Sequence, residues 1–216
     1  MNHKFIMEKA KRKEKEFLFR RREILEEAEK IFAAKGFHAA TMAEIAQGSG
    51  FAIGTLYQFF QGKEDLYVSM VTEKLQLMYQ EIRSAVQSRE DTLQKVEALV
   101  ESYFLFVENN ADFCTFFVRS DGATLPDVSN ALREQMIDAY LGQIQFIEGI
   151  ISQGIKEGIF KTEKARDYAF ALSGIIRGII FDWLVGERQG PLAEKAHLVT
   201  DIFLRGVLPA QPEKKP

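Results

Sequence analysis

The sequence predicts an all-α chain: a small N-terminal unit of three helices followed by a larger helical bundle. Three observations carry that reading. Thr41 and Glu44 form a T-x-x-E pair, the reciprocal cap that opens a helix, and Gly48, Ser49 and Gly50 follow as a stop. From Lys63 onward, apolar residues recur at every third or fourth position nearly to the C-terminus. No alternating strand pattern and no internal repeat competes with these. With 216 residues and 46% hydrophobic content, the chain can fill one small core and one larger one. The expected divisions are an extension over residues 1–21, a three-helix unit over 22–67, a bundle over 68–208 and a disordered tail over 209–216.

Residues 1–21 interleave Lys9, Lys11, Arg12, Lys13, Lys15, Arg20 and Arg21 with Glu8, Glu14 and Glu16. This pattern suits a solvated helix that either prolongs the next one or frays. The first full helix is expected over 22–35, with Ile24, Ala28, Ile31 and Phe32 inward and Gly36 as its stop. A short helix follows from the Thr41 cap, and after the glycine turn a second runs from about Ala52 to Phe59. Ile53, Leu56 and Phe60 fall at the spacing of a buried stripe. Two short helices joined by a glycine-containing turn make a helix-turn-helix, whose second helix fits the major groove of DNA.

Read in one register, Ala28, Ile31, Phe32, Gly36, Phe37, Thr41, Ile45, Ala46, Gly50, Gly54, Thr55, Leu56, Tyr57, Phe59, Phe60, Lys63, Glu64 and Leu66 resemble the DNA-binding domain of the TetR family of transcriptional regulators. The resemblance covers residues 22–67; beyond them it is a helix pattern only. It implies that Thr41, Tyr57 and Lys63 meet the DNA backbone. Side-chain chemistry assigns base reading to Ala52, Ile53, Thr55 and Gln58, since a Gln amide can bond the adenine edge and a Thr methyl can meet that of thymine. Gly54 would let DNA approach closely, or else serve a tight helix contact. Ala52 and Ile53 depart from a common family pattern of a hydroxyl followed by a base, which shifts weight from guanine readout to apolar contact and DNA shape.

In the larger unit, helical stripes are expected over 63–88, 91–110, 127–156, 163–186 and 192–207, with a Phe-rich segment over 111–118 and a loop around Asp121, Gly122 and Pro126. The helix over 163–186 is apolar almost all round, so it should be covered on more than one side. The stripe of the last helix is Ala196, Val199, Ile202 and Phe203. The resemblance implies that these last two helices pair across a two-fold axis, giving a homodimer that binds a near-palindromic DNA operator. It also implies a cavity for a small, largely apolar effector. Phe104, Phe113, Phe117, Tyr140, Phe146 and Trp183 are the candidate lining, with Arg177 or Asp182 as polar anchor. The expected outcome is a repressor that its effector releases from DNA.

Charge and composition agree. Residues 1–63 carry 12 Lys or Arg against 8 Asp or Glu, and residues 64–216 carry 16 against 23, so a +4 end precedes a −7 remainder. A basic end is suited to phosphate. Cys114 is the sole cysteine, which rules out an internal disulfide and suits a reducing cytoplasm. Phe5, Ile6 and Met7 are too short an apolar group for a leader peptide, and Arg177 and Asp182 interrupt the best spanning candidate, residues 168–185, so no membrane partner is expected. His3, His38 and His197 are scattered, and the Gly48 to Gly54 run misses the dinucleotide spacing by one residue without a preceding strand. No catalysis, metal or cofactor is therefore expected. The alternative is a helical protein-binding adaptor using its basic face without DNA sequence preference.

Overall fold

The computed structural model describes residues 2–120, 129–186 and 188–208. Among these there are nine α-helices and no strand. The chain divides into two compact units at Glu73 and Lys74. The expected loop at 121–126 and tail at 209–216 lie outside the described residues.

In the first unit, α1 (Asn2–Ala39) takes in the charged extension as continuous helix, broken only at Gly36, whose φ of 79° is open to glycine at little cost. The extension is tied down by Phe17, whose ring centroid stands 4.5 Å from that of Phe59, and by Arg21, which pairs with Glu73 and lies 5.2 Å over the Phe60 ring. After α1 come α2 (Met42–Ser49), α3 (Ile53–Phe59) and α4 (Lys63–Gln87). Both halves of the Thr41–Glu44 capping box form, and Gly50 ends α2 in the left-handed region at φ 75°. The core is Ile24, Ala28 and Phe32 of α1, Ile45 of α2, Leu56 of α3 and Leu66 and Val71 of α4, all fully buried. Each large apolar side chain there contributes about 1.5–3 kcal/mol by burial. Neither short helix could hold itself together without that packing.

In the second unit, α4 continues past Lys74 and is followed by α5 (Thr92–Asn109), capped by Asp91, then α6 (Ala111–Ser120), α7 (Ser129–Lys156), α8 (Ala165–Val185) and, after a 3-10 turn at Ala193–Lys195, α9 (Ala196–Val207). One core joins them: Ile82 and Val86 of α4, Leu99 and Phe104 of α5, Ile144, Ile147 and Ile151 of α7, Leu172 and Ile176 of α8, Val199 and Phe203 of α9. Gly158 (φ 70°) lies in the turn that ends α7.

Within one chain, burial on the last two helices is one-sided. By length and composition alone α8 could cross a bilayer, yet it is covered on one side only: Ala169, Leu172, Ile176, Trp183 and Leu184 are buried, whereas Phe170, Phe181 and Val185 are exposed. In α9, Ala196, Val199 and Phe203 of the expected stripe are buried, while Ile202 is 51% exposed and shares an outward face with Leu198. Apolar residues all round a helix do not say which sides its own chain covers.

Candidate functional site

The sequence places α3 by two anchors. Leu56 and Phe60 are buried, and the helix turns its other face out: Ala52, Ile53, Gly54, Tyr57 and Gln58 are exposed and Thr55 is half-buried. Ile53, also read as part of the buried stripe, is 46% exposed and belongs to the outer face. Gly54 makes no tight helix contact, because no atom of another element lies within 4 Å of where its β-carbon would stand. The outer face is thus a short rod of small and apolar side chains with one amide, Gln58, and one phenol, Tyr57.

Around this rod, charged groups are already engaged. Lys63, expected at a DNA phosphate or in solvent, is turned inward. Its ammonium donates to the carbonyl oxygens of Phe37 at 2.8 Å, His38 at 3.2 Å and Ala40 at 2.9 Å, and lies 4.5 Å over the Phe37 ring. All three of its N–H donors are spent on the end of α1, whose last carbonyls have no helical partner. Thr41 is exposed at the start of α2, and its hydroxyl accepts from the Glu44 amide. The Glu44 carboxylate takes a bond from Lys35 at 2.6 Å and from the Thr41 amide at 3.1 Å. The Lys35 bond first, and then those from the Thr41 hydroxyl and amide, hold the Glu44 carboxyl below the usual range.

In the second unit, the candidate effector residues separate. Phe104 and Trp183 are core, and the Trp183 indole N–H donates to the Gly190 carbonyl at 3.0 Å. Phe113 and the half-buried Phe117 stack on each other, centroids 6.0 Å apart. Tyr140 and Phe146 pack on the core while staying half-buried. Arg177 is exposed and lies 4.9 Å over the Tyr140 ring, while Asp182 is exposed nearby on the same helix. Tyr140 also belongs to a polar group with Tyr79, Tyr103 and Gln143. Burial, first, and the neighbouring Tyr79 push the Tyr103 hydroxyl well up. Burial, first, and then Tyr140 raise the Tyr79 hydroxyl, opposed by Arg177.

Comparison with known proteins decides the family. Residues 24–70 match the family described as bacterial regulatory proteins, tetR family, and residues 71–206 match the YsiA-like protein C-terminal region. The chain belongs to the TetR family. Among the family's curated members it is similar to the HTH-type transcriptional activator FasR of Mycolicibacterium smegmatis, 32% identical over 172 residues, covering 78% of this chain and 74% of that protein. It is also similar to the fatty acid metabolism regulator protein of Bacillus subtilis, 21% identical over 189 residues, 86% of this chain and 94% of that protein. The crystal structure of the transcriptional regulator FadR from Bacillus subtilis in complex with stearoyl-CoA superposes with a TM-score of 0.72 at 21% identity, covering 85% of this chain and 97% of that one. That likeness fixes the fold.

This TetR-family chain is a ligand-responsive, DNA-binding transcriptional regulator. Its relatives are transcriptional regulators rather than enzymes, and the adaptor alternative is not favoured. Sequence reasoning missed two features of this regulator: the inward turn of Lys63 and the polar group around Gln143. The second had a signal, because Gln143 falls on the apolar stripe of α7, three residues after Tyr140 and four before Ile147.

Proposed function

We propose that the chain is a homodimeric repressor that lays α3 of each protomer in the major groove at the two halves of a near-palindromic operator. Half-sites would stand one helical turn or a multiple apart, roughly 10 bp. The exposed face of α3 supports this most directly. Ala52, Ile53, Thr55 and Gln58 meet base edges, Gly54 admits the DNA, and Tyr57 gives its hydroxyl to phosphate. The exposed Thr41 end of α2 offers main-chain amides to a neighbouring phosphate. Lys63 serves instead as the clamp that fixes α1 against the start of α4.

Dimerisation uses the outward apolar face of α8 and α9: Phe170, Phe181, Val185, Leu198 and Ile202 form an exposed set too apolar to favour water. A second copy covers it. Work on DNA places the protein in the cytoplasm.

The effector is a small molecule with a long apolar body, held in the second unit against Tyr140, Phe146, Phe117 and Phe113, with Arg177 at the edge for a charged group. The solved relative holding stearoyl-CoA supports a fatty acyl thioester as the first compound to try. An effector that prefers the conformation unfit for the operator weakens DNA binding by its differential affinity for the two states, and DNA weakens the effector equally. α4, which runs through both units, is the element that carries the change.

The test is a gel shift with the DNA flanking the gene, against shuffled competitor, with and without hexadecanoyl-CoA. Sequence-dependent binding that the thioester releases is the predicted result. Equal binding to shuffled DNA contradicts the reading.

A further inference from the structure

The second unit buries a polar side chain that makes no good hydrogen bond among the described residues. Gln143 is 3% exposed, and neither its amide nitrogen nor its amide oxygen has a hydrogen-bond partner among the described residues. Its place on α7 lies between Tyr140 and the fully buried Ile144, on a stripe where an apolar side chain of the same length would pack without loss. The Tyr103 hydroxyl is the nearest polar neighbour: the Gln143 amide favours its ionised form, against the larger opposing effect of burial, yet neither amide atom makes a hydrogen bond that meets distance and angle together. Tyr79 and Tyr140 complete the surroundings, with Arg177 at the outer side over the Tyr140 ring. Leaving both atoms of a buried amide unpaired is unfavourable, and folding alone gives no reason to keep it.

We propose that Gln143 is the polar recognition point of the effector site, and that the effector presents to it a hydrogen-bond donor and an acceptor side by side within an otherwise apolar body. This rests on the reading that the second unit holds a small-molecule effector. The amide edge of glutamine offers one acceptor, Oε1, next to one donor pair on Nε2. A bare methylene chain satisfies neither, and a lone ester or thioester carbonyl satisfies only Nε2. A hydroxyl beside a carbonyl, or a carboxamide, satisfies both.

The test uses the full chain and three probes: hexadecanoyl-CoA, 3-hydroxyhexadecanoyl-CoA and hexadecanamide. Each is titrated calorimetrically into the wild type and into Gln143→Met, which keeps the length of the side chain and removes both polar atoms. The expected result is that the hydroxy derivative or the amide binds the wild type at least about tenfold more tightly than the plain thioester, and that Gln143→Met erases the preference. Binding of the plain thioester with no preference for either polar probe, or a preference that survives in Gln143→Met, overturns the inference and leaves the proposed function standing. Failure of all three probes to bind overturns the effector reading and this inference with it. The free protein supplies a second readout: Gln143→Met should raise Tm. A fall in Tm would mean that buried water already satisfies the amide, and would overturn the proposal.

Discussion

Gly54→Ala separates folding from DNA binding in a single substitution. In the free protein the added methyl enters open space, since nothing outside its own helix lies within 4 Å, and the backbone there is helical rather than left-handed. Replacing glycine by alanine inside a helix therefore stabilises by about 0.5–1 kcal/mol. For a chain of 216 residues that raises Tm by about 1–4 °C. On the operator the same methyl has no room if DNA comes to the α3 backbone, and overfilling a close contact costs about 1–3 kcal/mol. Affinity should then fall roughly 5- to 150-fold. Differential scanning fluorimetry reads the first effect. Fluorescence anisotropy with labelled operator at one fixed salt concentration reads the second. A variant that is more stable and binds as well as wild type would place Gly54 away from DNA. A variant that is less stable would show that the space around it has been misjudged.

Other consequences are as direct. Lys63→Met leaves three carbonyls at the end of α1 without their donor and should lower the stability of the first unit by about 2–3 kcal/mol in chemical denaturation. It should also leave the salt dependence of operator binding unchanged, whereas a slope reduced by about one unit would return Lys63 to the phosphate backbone. Phe181→Glu combined with Ile202→Glu puts charge on the outward face of α8 and α9 and should yield a monomer in sedimentation velocity with operator binding lost; a dimer of wild-type affinity would move the interface elsewhere. The Glu44 carboxyl is held low, so its contribution is present above the ordinary glutamate range and is lost as pH falls through its folded value. Wild type should therefore lose more stability than Glu44→Gln between about pH 6 and pH 3, the two melting curves converging at the acid end. Parallel curves would mean that the Lys35 and Thr41 bonds to Glu44 do not matter to folding.

What could be read from residues alone was what short spacing encodes. The Thr41–Glu44 box and the Gly50 turn are agreements among neighbours four residues apart or fewer, and each forms as expected. Periodicity likewise found the buried side of α3 through Leu56 and Phe60. It could not say that Phe17 reaches Phe59, forty-two positions on, and so ties the charged extension down, because that contact has no local signature. The inward bonds of Lys63 have no local signature either: a lysine at a helix start is written identically whether it faces phosphate or folds back on carbonyls far earlier in the chain. For α8, periodicity recorded apolar residues on every side without distinguishing a face covered by its own chain from one left for a second copy. Gln143 lay in view on an apolar stripe, but its meaning needs the tyrosines that three different helices bring beside it.

Selection of bound sequences from a random DNA pool by the purified full-length chain addresses the central claim most directly. Two copies of one exposed α3 predict an enriched near-palindrome, its halves spaced by about 10 bp or a multiple of that. A pool that returns a single asymmetric site, or no consensus at all, would contradict the account.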